Sequence, residues 1–377
     1  MKFYLFILLS QSLVCCKAFR QISNQEIVTS NGCEQITFDD KIPLFPLEVD
    51  RNKTVFIFDT GAMTSALSDT TIVDNFSEKE VSKFGKLTGA DGKKVSIKRI
   101  TAHIKSPLFE SLNKTLTLVN MPSSGCKTKK ESYSGIIGLD VFFKKNEILQ
   151  MDFSSNKVCQ LSASQLQEFL FNTEYKLVKS KCRWNQIFIY LSVEGKEYRF
   201  HVDTGYTGSI IFPNSDKLNF ENKEKIELEG SLFQSVSAIT SGKEIIYEKM
   251  PVEFATQKME VKTNVSNTIK AQNIGIEFIK CFDWLIDYSN NKVYVKRNQN
   301  TADSTFKRKV SYYARVIDGT LEVIVKEKSQ SMFKLGDVIT AVNGNKVTEK
   351  NQCEIQDLLN KTEDWSSLQI EVLSNSK

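Results

Sequence analysis

Apolar positions along the chain come in short runs. Val55 to Phe58, Val95 to His103, Thr115 to Val119, Ile187 to Val193 and Val252 to Phe254 are rich in branched and aromatic residues, as strands are. Helical periodicity is scarce. Ser164 to Phe171 is the best case, and through about Tyr175 it reads as a connection between two halves. Two further stretches, Gln150 to Val158 and Leu285 to Val293, share one pattern: an apolar run, an Asp, a polar Asn-Lys turn and a second apolar run. Each predicts a hairpin. The pattern as a whole predicts a mainly β protein.

These hairpins belong to a larger repeat. Phe56-Ile57-Phe58-Asp59-Thr60-Gly61-Ala62 matches Phe200-His201-Val202-Asp203-Thr204-Gly205-Tyr206, 144 residues on (203 − 59). Ile136-Ile137-Gly138 pairs with Asn273-Ile274-Gly275, with Gly138 79 residues after Asp59 (138 − 59) and Gly275 72 after Asp203 (275 − 203). Each unit therefore has an apolar strand into Asp-Thr-Gly, an apolar-Gly element and a closing hairpin, in one order. The units are placed at 34–165 and 176–298.

From about Thr305 the pattern changes. Leu335-Gly336-Asp337-Val338-Ile339 starts a strand, and Asn343-Gly344 supplies a tight turn with positive φ. A helix over Glu354 to Leu359 and a strand over Leu368 to Val372 follow. The stretch 305–377 resembles a PDZ domain, though Tyr312 to Val316 lacks the glycine-rich form of a peptide-carboxylate loop. The polar residues 298–305 before it read as a linker.

Composition adjusts this picture in three places. Lys2 followed by the apolar run Phe3 to Val14 reads as a signal peptide over 1–18, cut near Ala18, with lipidation at Cys15 or Cys16 as the alternative. An exported chain, periplasmic, cell-envelope or extracellular, is implied, touching a membrane only through such an anchor. Six cysteines remain beyond the leader, at 33, 126, 159, 182, 281 and 353; export permits disulfides, but spacing does not select the pairs, and free buried thiols are an equal reading. The net charge of +5 is small and dispersed, so no nucleic-acid partner is implied. Two histidines leave little material for a Ser-His-Asp triad or a histidine metal site, and neither a metal nor a cofactor is expected.

Paired carboxylates are the candidate chemistry. Two of them held close cannot both ionise easily, so they share a proton and can act as acid and base on one water. The duplicated Asp-Thr-Gly segments resemble those of retropepsin-like and pepsin-like aspartic proteases, most closely the bacterial retropepsin-like group, some members of which carry a PDZ domain. That resemblance implies two β-barrel lobes with the active site between them, Asp59 and Asp203 as the catalytic pair, and supporting loops of Thr60, Gly61, Thr204 and Gly205. It also implies a substrate-binding flap over Thr88, Gly89, Ala90, Asp91 and Gly92, with Ile239 to Lys243 as a weaker second candidate. Tyr206 departs from the small residue that often follows Asp-Thr-Gly. A polypeptide substrate and a monomer follow, with a protein or peptide ligand on the PDZ-like part. The competing reading is a non-catalytic peptide-binding scaffold. Asp152 and Asp287 are expected to be structural.

Overall fold

The computed structural model describes residues 27–74, 86–89, 91–119, 126, 133–143, 146–172, 174–214, 220, 223–234, 239–302, 304 and 311–373. The leader with Cys15 and Cys16, the flap residue Ala90 and the C-terminal stretches 305–310 and 374–377 lie outside these residues. The fold is mainly β, in several sheets. Among the described residues no helix is long and apolar enough to cross a membrane.

One strand arrangement occurs twice. Ile42–Val49 and Asn52–Phe58 form an antiparallel hairpin with Leu44 opposite Ile57. Gly135–Ile137 then runs parallel to Asn52–Phe58, with Ile136 beside Ile57, and antiparallel to Ala66–Leu67. In the second copy Gln186–Val193 and Lys196–Val202 form the hairpin, with Phe188 opposite His201. Asn273–Ile274 lies parallel to it, with Asn273 beside His201, and antiparallel to Ile210–Pro213. Side chains alternate across a strand, so Phe56 and Phe58 point into a core that Ile57 does not enter. Phe200, Val202, Ile210 and Ile274 fill the matching positions of that core.

The two repeats meet in a six-stranded sheet. Glu147–Asp152 with Lys157–Ser162 and Phe282–Asp287 with Lys292–Arg297 are the two expected hairpins, and their first strands pair, Ile148 opposite Asp287. Asn156 and Asn291 take φ of 54° and 57° at the turns, a conformation Asn tolerates well. Asp152 accepts the Ser155 N–H at 3.0 Å and Asp287 the Asn290 N–H at 3.1 Å, so both carboxylates serve turns. The helix Ala163–Asn172 leads to the strand Lys176–Val178, which joins the same sheet beside Lys292–Arg297.

The last strands and the helix Gln352–Lys361 surround a core of Tyr312, Val323, Phe333, Ile339, Leu359 and Trp365. Asn343 and Gly344 make the expected turn, with φ of 50° and 75°. The strand Thr320–Glu327 pairs with Lys225–Gln234, Leu228 opposite Glu327, and so extends the sheet that carries Asp203. Gly230 permits that approach, since a Cβ there would strike the Ile324 carbonyl. Of the stretch read as a linker, Asn298 and Asn300 are tied down: Asn300 Nδ2 donates to the Lys280 carbonyl at 2.9 Å, and so does Asn298 Nδ2. Its polar composition supplies ties to other backbone. The cysteine question resolves into disulfides Cys33–Cys159 and Cys126–Cys353, with Cys182 and Cys281 as free thiols.

Candidate active site

Asp59 and Asp203 stand at the ends of equivalent strands, and their loops are cross-braced. Thr60 Oγ1 donates to the Val202 carbonyl at 2.8 Å and accepts the Thr204 N–H at 3.1 Å. Reciprocally, Thr204 Oγ1 donates to the Phe58 carbonyl at 2.6 Å and accepts the Thr60 N–H at 2.9 Å. Both threonines are fully buried. A hydroxyl serves here because it donates and accepts at once.

The glycines answer a second constraint. A Cβ on Gly61 would lie 2.5 Å from Asp203 Oδ1, and one on Gly205 would lie 2.7 Å from Asp59 Cγ. Each glycine thus admits the carboxyl of the other repeat. Gly61 N–H also donates to Asp59 Oδ1 at 2.8 Å, and Tyr206 N–H to Asp203 Oδ1 at 3.1 Å. The structure brings together all six residues that the repeat singled out.

Electrostatics follow from this enclosure. The two carboxyls lie close enough for each to act on the titration of the other. Burial raises Asp59 above the usual carboxylate range, opposed mainly by the Gly61 N–H. Burial, and then the neighbouring Asp59 charge, hold Asp203 well above that range. The pair therefore favours a state with one proton between two carboxyls. Both residues keep partial solvent exposure, so the site is enclosed but reachable.

The hairpin read as a flap runs as strands Lys86–Thr88 and Lys94–Ser96, with Gly92 at φ 79° in its turn. Its tip rests on the second repeat: Thr240 Oγ1 donates to Asp91 Oδ2 at 3.0 Å, and Lys93 Nζ donates to Thr240 Oγ1 at 3.3 Å. The weaker candidate at Ile239 to Lys243 opens the long strand Ile239–Phe254, at the turn end of its hairpin with Lys225–Gln234, and its Thr240 receives the tip of the first hairpin.

Three groups escaped the sequence reading. Asn273 Nδ2 donates to Asp203 Oδ2 at 2.6 Å. The repeat carries that signal, since Asn273 stands where the first copy has Ile136. Glu244 is the second: its charge and that of Asp203 both act on the phenol of Tyr206, the departure already noted in the repeat. Only strand register brings Glu244 here, so no local pattern marks it. The third is the buried Lys114–Asp140 pair, whose carboxylate also accepts the Ser65 N–H at 2.9 Å and so fixes the loop after Asp59. Among the described residues no His, Cys, Asp or Glu cluster is grouped as a metal site requires. No protein-family model matches the chain, and no curated protein matches it.

Proposed function

We propose that the chain is an aspartic endopeptidase of two related lobes, with Asp59 and Asp203 as its catalytic pair and a PDZ-like C-terminal domain. One observation carries the reading: carboxyls from two copies of one repeat are brought together by cross-braced loops, each admitted by the glycine of the other loop. The carboxyl that carries the shared proton is the acid and its ionised partner the base; with the proton on Asp203, Asp59 is the base. Asp59 takes a proton from the attacking water while Asp203 protonates the carbonyl oxygen. A tetrahedral diol forms. The Asp59 proton then passes to the amide nitrogen, the C–N bond breaks, and Asp203 recovers its proton from the diol as the acid product forms. The hairpin over residues 86–96 is the lid that shields this step from bulk water.

Both carboxylates come from one chain, which favours a monomer. The leader-like N-terminus and the two disulfides favour an oxidising compartment outside the cytoplasm. The C-terminal domain reads better as a brace than as a peptide receptor. The edge of its strand Tyr312–Ile317 is already served by the helix: Asn360 Oδ1 accepts the Ala314 N–H at 3.0 Å, Asn360 Nδ2 donates to its carbonyl at 2.9 Å, and Gln356 Oε1 accepts the Val316 N–H at 2.7 Å. An added peptide strand would need those groups. Digestion of a peptide mixture between about pH 3 and pH 7 tests the activity, spanning the range over which a shared proton on perturbed carboxylates is held. New peptide termini suppressed by pepstatin are expected; intact peptides throughout would contradict it.

A further inference from the structure

The two walls beside the carboxyl pair differ in kind. Strand register defines a row of neighbours on one face of each repeat. In the first it runs Leu44, Ile57, Ile136, Ala66, Thr117. In the second it runs Phe188, His201, Asn273, Ile211, Asn264. Leu44, Ile57, Ile136 and Ala66 of the first row belong to an apolar cluster against which Ala62, three residues past Asp59, packs. The second puts His201 and Asn273 where the first has Ile57 and Ile136.

This polar row is short of donors. Asn273 is 4% exposed and spends its amide N–H on Asp203, which leaves its Oδ1 buried with no partner. Asn264 spends its own on Glu244 Oε1 at 2.7 Å, and its Oδ1 is likewise unpartnered. A carboxylate only accepts, so each partner fixes which amide atom turns away. Glu244 is 8% exposed and shares the face of Asn264. Burial pushes its carboxyl up to about 7 despite hydrogen bonds from Asn264 and Ser266 and the charge of Lys262. Tyr206, which feels the charges of Asp203 and Glu244, has a buried hydroxyl without a partner, and His201 Nε2 has none either. The two amide oxygens only accept, and with the Glu244 carboxyl they call for a donor-rich guest.

The geometry points to a cationic side chain of the substrate, lysine or arginine, seated beside Asp203 on the free oxygens of Asn273 and Asn264 and on Glu244, with an apolar side chain against the Ile57–Ile136 wall. This rests on the peptidase reading. A guanidinium or ammonium supplies several donors and a charge. It would meet the acceptors that apolar side chains leave bare.

The test is cleavage-site profiling of a peptide library by mass spectrometry, followed by matched peptides carrying lysine or norleucine at the selected position. Wild-type sites should show Lys or Arg on one fixed side of the cut and an apolar residue on the other. Glu244→Gln should lower the lysine-to-norleucine ratio of kcat/KM about tenfold or more, because a site built for donors discriminates strongly. Asn273→Ile, which copies the first repeat, should move the preference toward apolar residues. The ratio is internal to each variant, so partial loss of folded protein does not mimic the effect. Cleavage without basic preference, or a ratio unchanged in Glu244→Gln, overturns the inference and leaves the peptidase standing. No cleavage of any peptide by wild type overturns both.

Discussion

A carboxyl pair buried this way costs the fold something whenever it ionises. Both groups are raised in the folded protein, so the folded state binds more protons than the unfolded one above the ordinary carboxylate range. The cost is absent below about pH 4, the unfolded value, and grows as pH rises toward the raised folded values. Asp203→Asn removes the like charge. It is therefore expected to raise the melting temperature by a few degrees at neutral pH, with the gain vanishing in acid; thermal unfolding at several pH values checks this, and a gain independent of pH would contradict it. The threonines predict the opposite sign. Thr60→Val strands the buried Val202 carbonyl and Thr204 N–H, each worth about 1–3 kcal/mol when left unpaired. Chemical denaturation should show a loss of that order, and Thr60→Ser, which keeps the hydroxyl, should restore most of it.

At the level of elements, the hairpin over residues 86–96 is held at its tip by contacts to Thr240. Asp91 is the anchor, buried against Thr240. Asp91→Ala should loosen it, seen as faster amide exchange over residues 86–96 and a raised KM with a smaller change in kcat. Unchanged exchange would show that the tip contact does not hold it. The elements also separate what a sequence can disclose from what it cannot. Asp59 and Asp203 were legible because the repeat writes them twice, each at the end of an apolar strand. The hairpins at Asn156 and Asn291 were legible because turn chemistry is local. The contact of Thr240 with Asp91 was not legible, since it joins residues 149 apart in sequence. Glu244 could not be found, since its burial beside Tyr206 is created by register between strands distant in sequence. The disulfide partners were hidden for the same reason.

Across the whole molecule, the C-terminal strands and the candidate active site are mechanically joined. Leu228, Glu229 and Gly230 pair with Glu327, Lys326 and Val325, Lys328 meets Glu227 at 2.8 Å, and Cys126–Cys353 ties the C-terminal helix to the first repeat. The braced hairpin is the one that carries Thr240 and Glu244. A chain ended near Asn300 should therefore lose much of its turnover of short peptides, not only of large substrates. Full short-peptide activity after truncation would assign the domain to recruitment instead. The central claim is that Asp59 and Asp203 of one chain make one hydrolytic pair. It is tested most directly by turnover of a quenched fluorescent peptide with wild type, Asp59→Asn, Asp203→Asn and an equimolar mixture of the two variants. The account predicts cleavage by wild type alone. Near-normal turnover by either variant would contradict the paired mechanism, and activity recovered in the mixture would mean that the carboxyls meet between chains.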